Sequence, residues 1–260
     1  MPAPLYAYPT NALATGPDGT VHLVVEWYKT WPAEGAAEGP AGRRGYASDA
    51  RNAKERPRSL GVSHLEMPRP GEWLHTDGRK VEKYPVTMEE TPLIVNRPEG
   101  NPRPGNVAVL PDGRPVFGIW DQDSGTMVLS VRQADRVWRL TDLTASAQSF
   151  DPGRHFCSQP QVAVNARGEI LLAAARAETP EWGHVSSRIH AFGIAPDSGA
   201  ITRHEAVPKT DPQEPDWLPN IEKPGPGLYP EELHLVFQTG RRGAKNDDHT
   251  PCAVKWTVLR

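Results

Sequence analysis

Two residues near the middle of the chain are of types that could act on an acidic substrate. Arg176 closes an apolar run, LLAAARAE, where a strand leaves its sheet and a side chain can enter an open face. An arginine offers a planar fork that grips a carboxylate through two parallel hydrogen bonds. His155, in DPGRHFCSQPQ, lies in the loop entering the same segment, and an imidazole passes protons near neutral pH. A cation for a carboxylate and a proton carrier are what is needed to remove a proton beside a carboxylate and release a neighbouring oxygen. The plainer alternative pairs Arg176 with Glu178 or Asp123 in a structural contact and leaves His155 as a loop residue.

Other candidates are weaker. His184, in PEWGHVSS, is a loop histidine close to Trp182, and Trp217 opens a later segment. Aromatic faces stack on sugar rings, and they pack sheets together equally well. His22 and His234 alternate with apolar neighbours inside strands, which reads as core or rim. Trp27, Trp120 and Trp138 read as core. Asp121 and Asp123, in WDQDSG, offer oxygen ligands to a structural calcium ion, although this spacing in a hairpin is usually turn chemistry. No His/Cys cluster has metal spacing, so no metal centre is expected. There is no glycine-rich phosphate loop and no nucleophile elbow, so no cofactor is expected either.

The elements that must position these residues announce themselves by repetition. NALATGPDGTVHLVVEWYK (11–29), GNVAVLPDGRPVFGIWDQ (105–122) and QPQVAVNARGEILLAAARAE (159–178) share one grammar, and NIEKPGPGLYPEELHLVFQTG (220–240) follows it more loosely. Each is a strand, a glycine-ended turn and a second strand. Alternating strand pairs lie between them. Glycine and proline together make 51 of the 260 residues (23 and 28), which excludes long helices. The expected fold is all-β, a β-propeller of four-stranded antiparallel blades over 10–90, 91–145, 155–208 and 215–258. Residues 1–260 are read as one propeller of four or five blades, or part of a larger ring. The first ten residues are expected to add a strand that closes it. A β-sandwich is the competing architecture.

The formal net charge of −3 gives no global pull toward nucleic acid. One basic stretch, RRGYASDARNAKERPR (43–58), leaves an anionic sugar polymer as a reasonable partner. Cys157 and Cys252, far apart in sequence, are expected to be free thiols. No apolar run is long enough to cross a membrane, and the start MPAPLYAYPTN lacks the features of a signal peptide.

Four segments resemble the bacterial-neuraminidase-repeat propellers of the ulvan-lyase type. GEWLHTDGRKVEKYPVT (71–87) is similar to that family's tryptophan, DG-turn and LPIT-like strand; GNVAVLPDGRPVFGIW (105–120) to its DpdGrPviayW strands. QPQVAVNARGEILLAAARAE resembles its RPQ…LFRDEE blade, placing Arg176 and Glu178 on the RDE motif. DWLPNIEKPGPGLYPEELHLVFQTG (216–240) resembles a WEPsyD…LhlfvQ segment, matching Trp217, Pro219 and Gln238.

The resemblance implies a propeller that handles an anionic polysaccharide, and a secreted or periplasmic role would suit the family. The implied activity is β-elimination of a uronate-containing polymer, with His155 and Arg176 catalytic. Arg154, Asn106, Glu178, His184 and Trp217 would bind substrate. The departures are specific. The family's histidine-bearing stretches become WYKTWPAEGAAEGP and PRPGNVAV here, the second keeping only Asn106, and Gln159 stands where the family has an arginine. The rivals are therefore a non-catalytic carbohydrate- or protein-binding propeller and a glycoside hydrolase of the same fold. The family's rings usually have seven blades, for which 260 residues are too few.

Overall fold

The repeated turns fold as hairpins because their glycines take the left-handed backbone that other residues resist. Gly19 and Gly113 have φ of 83° and 86°, and Asp18 and Asp112 each accept a hydrogen bond from the backbone N–H two residues on. The computed structural model describes residues 5–8, 13–29, 58–97, 99–181, 183–209, 211–240 and 252–259. Most of the basic stretch 43–58 lies outside them.

Four antiparallel sheets follow one another along the chain. The first contains β1 (Leu5–Tyr8), β2 (Leu13–Thr15), β3 (Val21–Lys29), β4 (Arg58–Arg69), β5 (Glu72–His75) and β6 (Leu93–Asn96). The second contains β7 (Pro102–Val109), β8 (Pro115–Asp121), β9 (Thr126–Arg132) and β10 (Trp138–Asp142). A five-residue helix, α1 (Thr144–Gln148), leads to the third sheet: β11 (His155–Phe156), β12 (Gln161–Val164), β13 (Ile170–Ala177), β14 (Arg188–Ile194) and β15 (Ile201–Ala206). The fourth has β16 (Asp216–Ile221), β17 (Leu233–Thr239) and β18 (Ala253–Leu259).

The six- and five-stranded sheets still have four strand positions. β1 and β2 both pair with β3, and β11 and β12 both pair with β13, so each first strand is one strand broken in two. β5 and β6 likewise share the outer side of β4. The fourth sheet has three strands among the described residues. The expectation that the first residues close the ring is corrected: β1 extends its own sheet, with Tyr8 opposite Glu26.

The sheets pack face to face around their first strands, which is how propeller blades are arranged. β13 shows why the sequence demands it. All eight of its residues are buried. Ile170, Leu172 and Ala174 join Trp120, Leu129 and Phe156 between the second and third sheets. Leu171, Ala173 and Ala175 join Ile221, Leu235 and Phe237 between the third and fourth. A period of two with both faces apolar requires a neighbour on each side. Val24, Val62, Phe117 and Ile119 fill the first interface. Trp27 and Trp120 are buried as expected, and Trp138 is partly buried against that first core. On the fourth sheet, Val236, Val254 and Trp256 are exposed.

Candidate functional site

The first strand of each sheet begins where the second ends, so equivalent residues gather at one end of the sheets. Ala7 faces Trp27, Arg103 faces Trp120, Phe156 faces Arg176, and Trp217 faces Gln238. Five of the seven residues singled out in the sequence, Arg154, His155, Arg176, Glu178 and His184, meet at this end on the third sheet.

Arg176 is wholly buried there, with 0% exposure. Alternation along β13 turns it toward the second sheet, where the loop after α1 covers it. Its Nη1 donates to the Ala147 carbonyl at 3.2 Å, and its Nη2 donates to the carbonyls of Asp151 (3.1 Å) and Arg154 (2.9 Å). The guanidinium also lies 5.2 Å from the Phe156 ring centre. Burial lowers its pKa. These contacts engage both Nη groups with the protein's own backbone, including the Ala147 carbonyl at the end of α1, which also accepts from the Phe150 N–H. The geometry thus differs from the sequence expectation of an arginine open to a substrate carboxylate.

The segment Arg176 holds carries the open groups. Arg154 keeps 29% of its side chain exposed, donates from Nη1 to the Ser186 carbonyl at 3.1 Å, and has Asp151 at 4.0 Å and Glu178 at 3.9 Å. Glu178 is exposed and donates its backbone N–H to Ser186 Oγ. The same hydroxyl lies 2.8 Å from His184 Nδ1. His155 is half-buried beside these groups, opposite Ala177. The β8–β9 turn abuts it: a Cβ on Gly125 would lie 3.5 Å from the His155 Cβ. Trp182, beside His184 in sequence, lies outside the described residues.

Behind this surface lies a carboxylate–imidazole–imidazole row. Asp151 Oδ2 is 3.4 Å from Nε2 of buried His190, and His190 Nδ1 is 2.8 Å from His204 Nε2. Phe150 and Phe192 flank the His204 ring. Burial, reinforced by the Arg176 charge, pushes His190 down to about 2 and lowers His204 too. His190 is therefore neutral near pH 7, and its Nε2 approaches Asp151 without a hydrogen bond.

At the equivalent place between the first two sheets, Glu26 on β3 is buried with 0% side-chain exposure, its Oε1 3.0 Å from Arg103 Nε on β7. The guanidinium sits 5.3 Å from the Tyr28 ring centre. Burial outweighs the attraction of Arg103 and the Ser59 hydroxyl, and Glu26 is pushed up to about 7. Sequence reasoning passed over this pair. The available signal was an acid in the apolar run VHLVVEW and an arginine starting PRPGNVAV; what joins them is a sheet-to-sheet contact.

The remaining candidates fall elsewhere or do other work. Trp217 is half-buried at the corresponding end of the fourth sheet, beside a bulge in which Leu218 takes φ of 49°. Asn106 is buried in mid-strand, bridging β7 to β12 through both backbone groups of Val162. Asp121 Oδ1 accepts from the backbone N–H groups of Asp123 and Ser124, and Oδ2 accepts from Arg97, which is turn chemistry. His22 is buried against His64 at 3.1 Å. His234 is exposed on β17, 2.7 Å from Glu222. Cys157 is buried and Cys252 exposed, both free.

No family model matches the chain, and no curated protein matches it. Among solved structures, an ulvan lyase of a polysaccharide lyase family aligns with 96% of this chain and 50% of its own, at 13% identity and a TM-score of 0.60. A second structure of that lyase, bound to -[GlcA(1-4)Rha3S]-, aligns equally. The NanB sialidase of Streptococcus pneumoniae aligns with 98% of this chain and 31% of its own, at 11% identity and a TM-score of 0.55. The chain thus spans half the length of the lyase. At such identities the likeness is one of fold, and that fold is the β-propeller.

Proposed function

We propose that this chain handles an acidic, uronate-containing polysaccharide at the end of the sheets where Arg154, His155, Glu178 and His184 meet, cleaving it by β-elimination. One observation carries the reading. A buried arginine is bonded to three carbonyls of a surface segment, and that segment presents a second arginine and a histidine beside a loop with a glutamate and another histidine. In this scheme Arg154 grips the uronate carboxylate, which makes the adjacent C–H more acidic. His155 takes the C5 proton, the C4–O4 bond breaks as the C4=C5 double bond forms, and the same imidazole returns the proton to the departing O4. Arg176 keeps the segment in place, a positioning role in place of the catalytic one its sequence context suggested. The fold shared with an ulvan lyase and a sialidase agrees with a glycan as ligand.

Binding without cleavage is the second reading, favoured by the withdrawal of Arg176 from the surface. Incubation with ulvan and other uronate polymers separates the two. Ultraviolet absorbance from an unsaturated sugar end supports elimination. Retained binding with no absorbance change on any of them supports the binder, and neither binding nor cleavage rejects both.

A further inference from the structure

Arg103 and Glu26 lie apart from the residues used above, on neighbouring sheets at the same end of the molecule. Glu26 is inaccessible to solvent, and Arg103 is its cationic partner at 3.0 Å. The pair is not a linear hydrogen bond: both Glu26 oxygens and Arg103 Nε are buried without a well-directed partner. A buried acid with one cation and the Ser59 hydroxyl near it, and no well-directed bond, is poorly stabilised in its ionised form. The Arg103 side chain meanwhile keeps 23% exposure, and its guanidinium lies over the Tyr28 ring. Around the acid stand Ser59 on β4 and Arg103 on β7. Asn101 accepts from the Ser59 backbone N–H at 2.9 Å and bonds Gln122 through its amide. The Glu26 environment thus offers one guanidinium to neutralise a negative charge.

We propose that Arg103 is a carboxylate-binding subsite, distinct from the Arg154 cluster, and that filling it is coupled to uptake of one proton by Glu26. The assignment rests on the polysaccharide reading for its ligand class and stands on its own geometry. When an external carboxylate takes the exposed edge of the guanidinium, two carboxylates share one cation, and like charges so close cannot both remain ionised in a buried site. The external group keeps its solvent contact, so the buried one is protonated: a solvent proton bonds to a Glu26 oxygen and leaves again on release. The raised pKa of the free protein agrees with this, since Glu26 is already poised to accept a proton near neutrality.

The probe is sodium glucuronate, with glucose as the uncharged control, studied by calorimetry at pH 8 in buffers of different ionisation enthalpy. The wild-type protein should bind glucuronate and take up about 0.5 to 1 proton, as linkage requires of a group whose pKa rises on binding. Glu26→Gln should bind with no uptake. Arg103→Ala should weaken binding about tenfold or more, the loss of a charge-assisted fork. Because that variant leaves an unpaired buried acid, Glu26→Gln/Arg103→Met, which removes both charges, should fold and also lose the proton-linked glucuronate binding, keeping only what Arg154 holds. Absence of wild-type binding, uptake persisting in Glu26→Gln, or unchanged affinity without Arg103 would each overturn the subsite. Polymer cleavage is scored separately: glucuronate binding with Glu26-dependent uptake and no cleavage supports the subsite while the lyase reading fails.

Discussion

Arg176 Nη2 donates to the carbonyl oxygen of Arg154 at 2.9 Å, so one arginine holds the backbone of another. The first is buried and the second half-open, a division of labour set by strand alternation on one side and loop exposure on the other. Replacing Arg176 with alanine would remove a donor from the carbonyls of Ala147, Asp151 and Arg154, of which the first keeps Phe150 N–H and the last Gln148 Nε2, and would open a cavity beside Phe156. A cost of about 3–5 kcal/mol is expected, the range for removing one member of a buried polar network. Thermal unfolding should show it as a fall in Tm of about 6–20 °C. Arg176→Lys, with one point of donation in place of a fork, should fall between the two. A melting temperature equal to the parent's would refute the bracing role.

Acid should destabilise the fold before its carboxylates titrate. His22 is pushed down to about 4, His190 to about 2, and His64 well below its ordinary 6.5, all chiefly by burial. Each is neutral when folded and takes up a proton once unfolded, so its contribution is present above pH 6.5 and lost as pH falls. Glu26 runs the other way: raised from 4.5 to about 7, it favours the fold at low pH and loses that contribution as pH rises through this window. The depressed histidines outnumber Glu26, so the fold should lose stability as pH falls from 6.5 toward 4.5. Denaturant unfolding across that range measures the slope, and Glu26→Gln should make it steeper.

Thiol labelling should divide the two cysteines cleanly. Burial pushes Cys157 up to about 12 and encloses it, whereas Cys252 is exposed. The thiolate is the species that reacts. Iodoacetamide at pH 8 should therefore modify one site in the native protein and two after denaturation. Native labelling at Cys157 would show that the interface between the third and fourth sheets opens.

What the sequence made legible was local. The PDG and ARG turns could be read because an aspartate or asparagine that caps the backbone N–H two residues on, beside a positive-φ glycine, is a short-range device, and the structure has it at the turns of Gly19, Gly113 and Gly168. The double-sided burial of β13 followed from an unbroken apolar run. The partners of Arg176 were not legible, because they are backbone carbonyls on a loop from the preceding unit, and carbonyls have no sequence signature. Nor was the His190–His204 row, since His190 sits between apolar residues as a packed one would and His204 between Arg203 and Glu205 as a solvated one would. Glu26 and Arg103 stand 77 positions apart and meet only because neighbouring sheets pack.

The first strands touch so closely that a single methyl group should separate them. A Cβ on Gly105 would lie 1.7 Å from the carbonyl oxygen of Pro160, a contact between backbones that no rotamer change relieves. Gly105→Ala should move β7 away from the segment entering β12, straining the Asn106–Val162 bridge. The expected cost is about 1–3 kcal/mol or more, as for overpacking a rigid interior, read as a lower denaturant midpoint. Gly113→Ala, at a turn with nothing within 4 Å of its Cβ but φ of 86°, should cost only about 1–2 kcal/mol.

Arg154→Ala is the counterpart of the Arg176 variant and separates function from stability. Arg154 makes one hydrogen bond to the Ser186 carbonyl and two long ion pairs, at 3.9 and 4.0 Å, with partly exposed partners. Half-exposed pairs of that length contribute about 0–1 kcal/mol, so its Tm should stay within a few degrees of the parent's. If Arg154 grips the substrate carboxylate, polymer turnover or binding should fall by about two orders of magnitude, as when an electrostatic contact to a developing charge is lost. Arg154→Lys should recover only part of it, because an ammonium cannot match a carboxylate with two parallel bonds. Full activity in Arg154→Ala, beside a destabilised Arg176→Ala, would leave the loop as scaffold and shift the search for chemistry to Arg103.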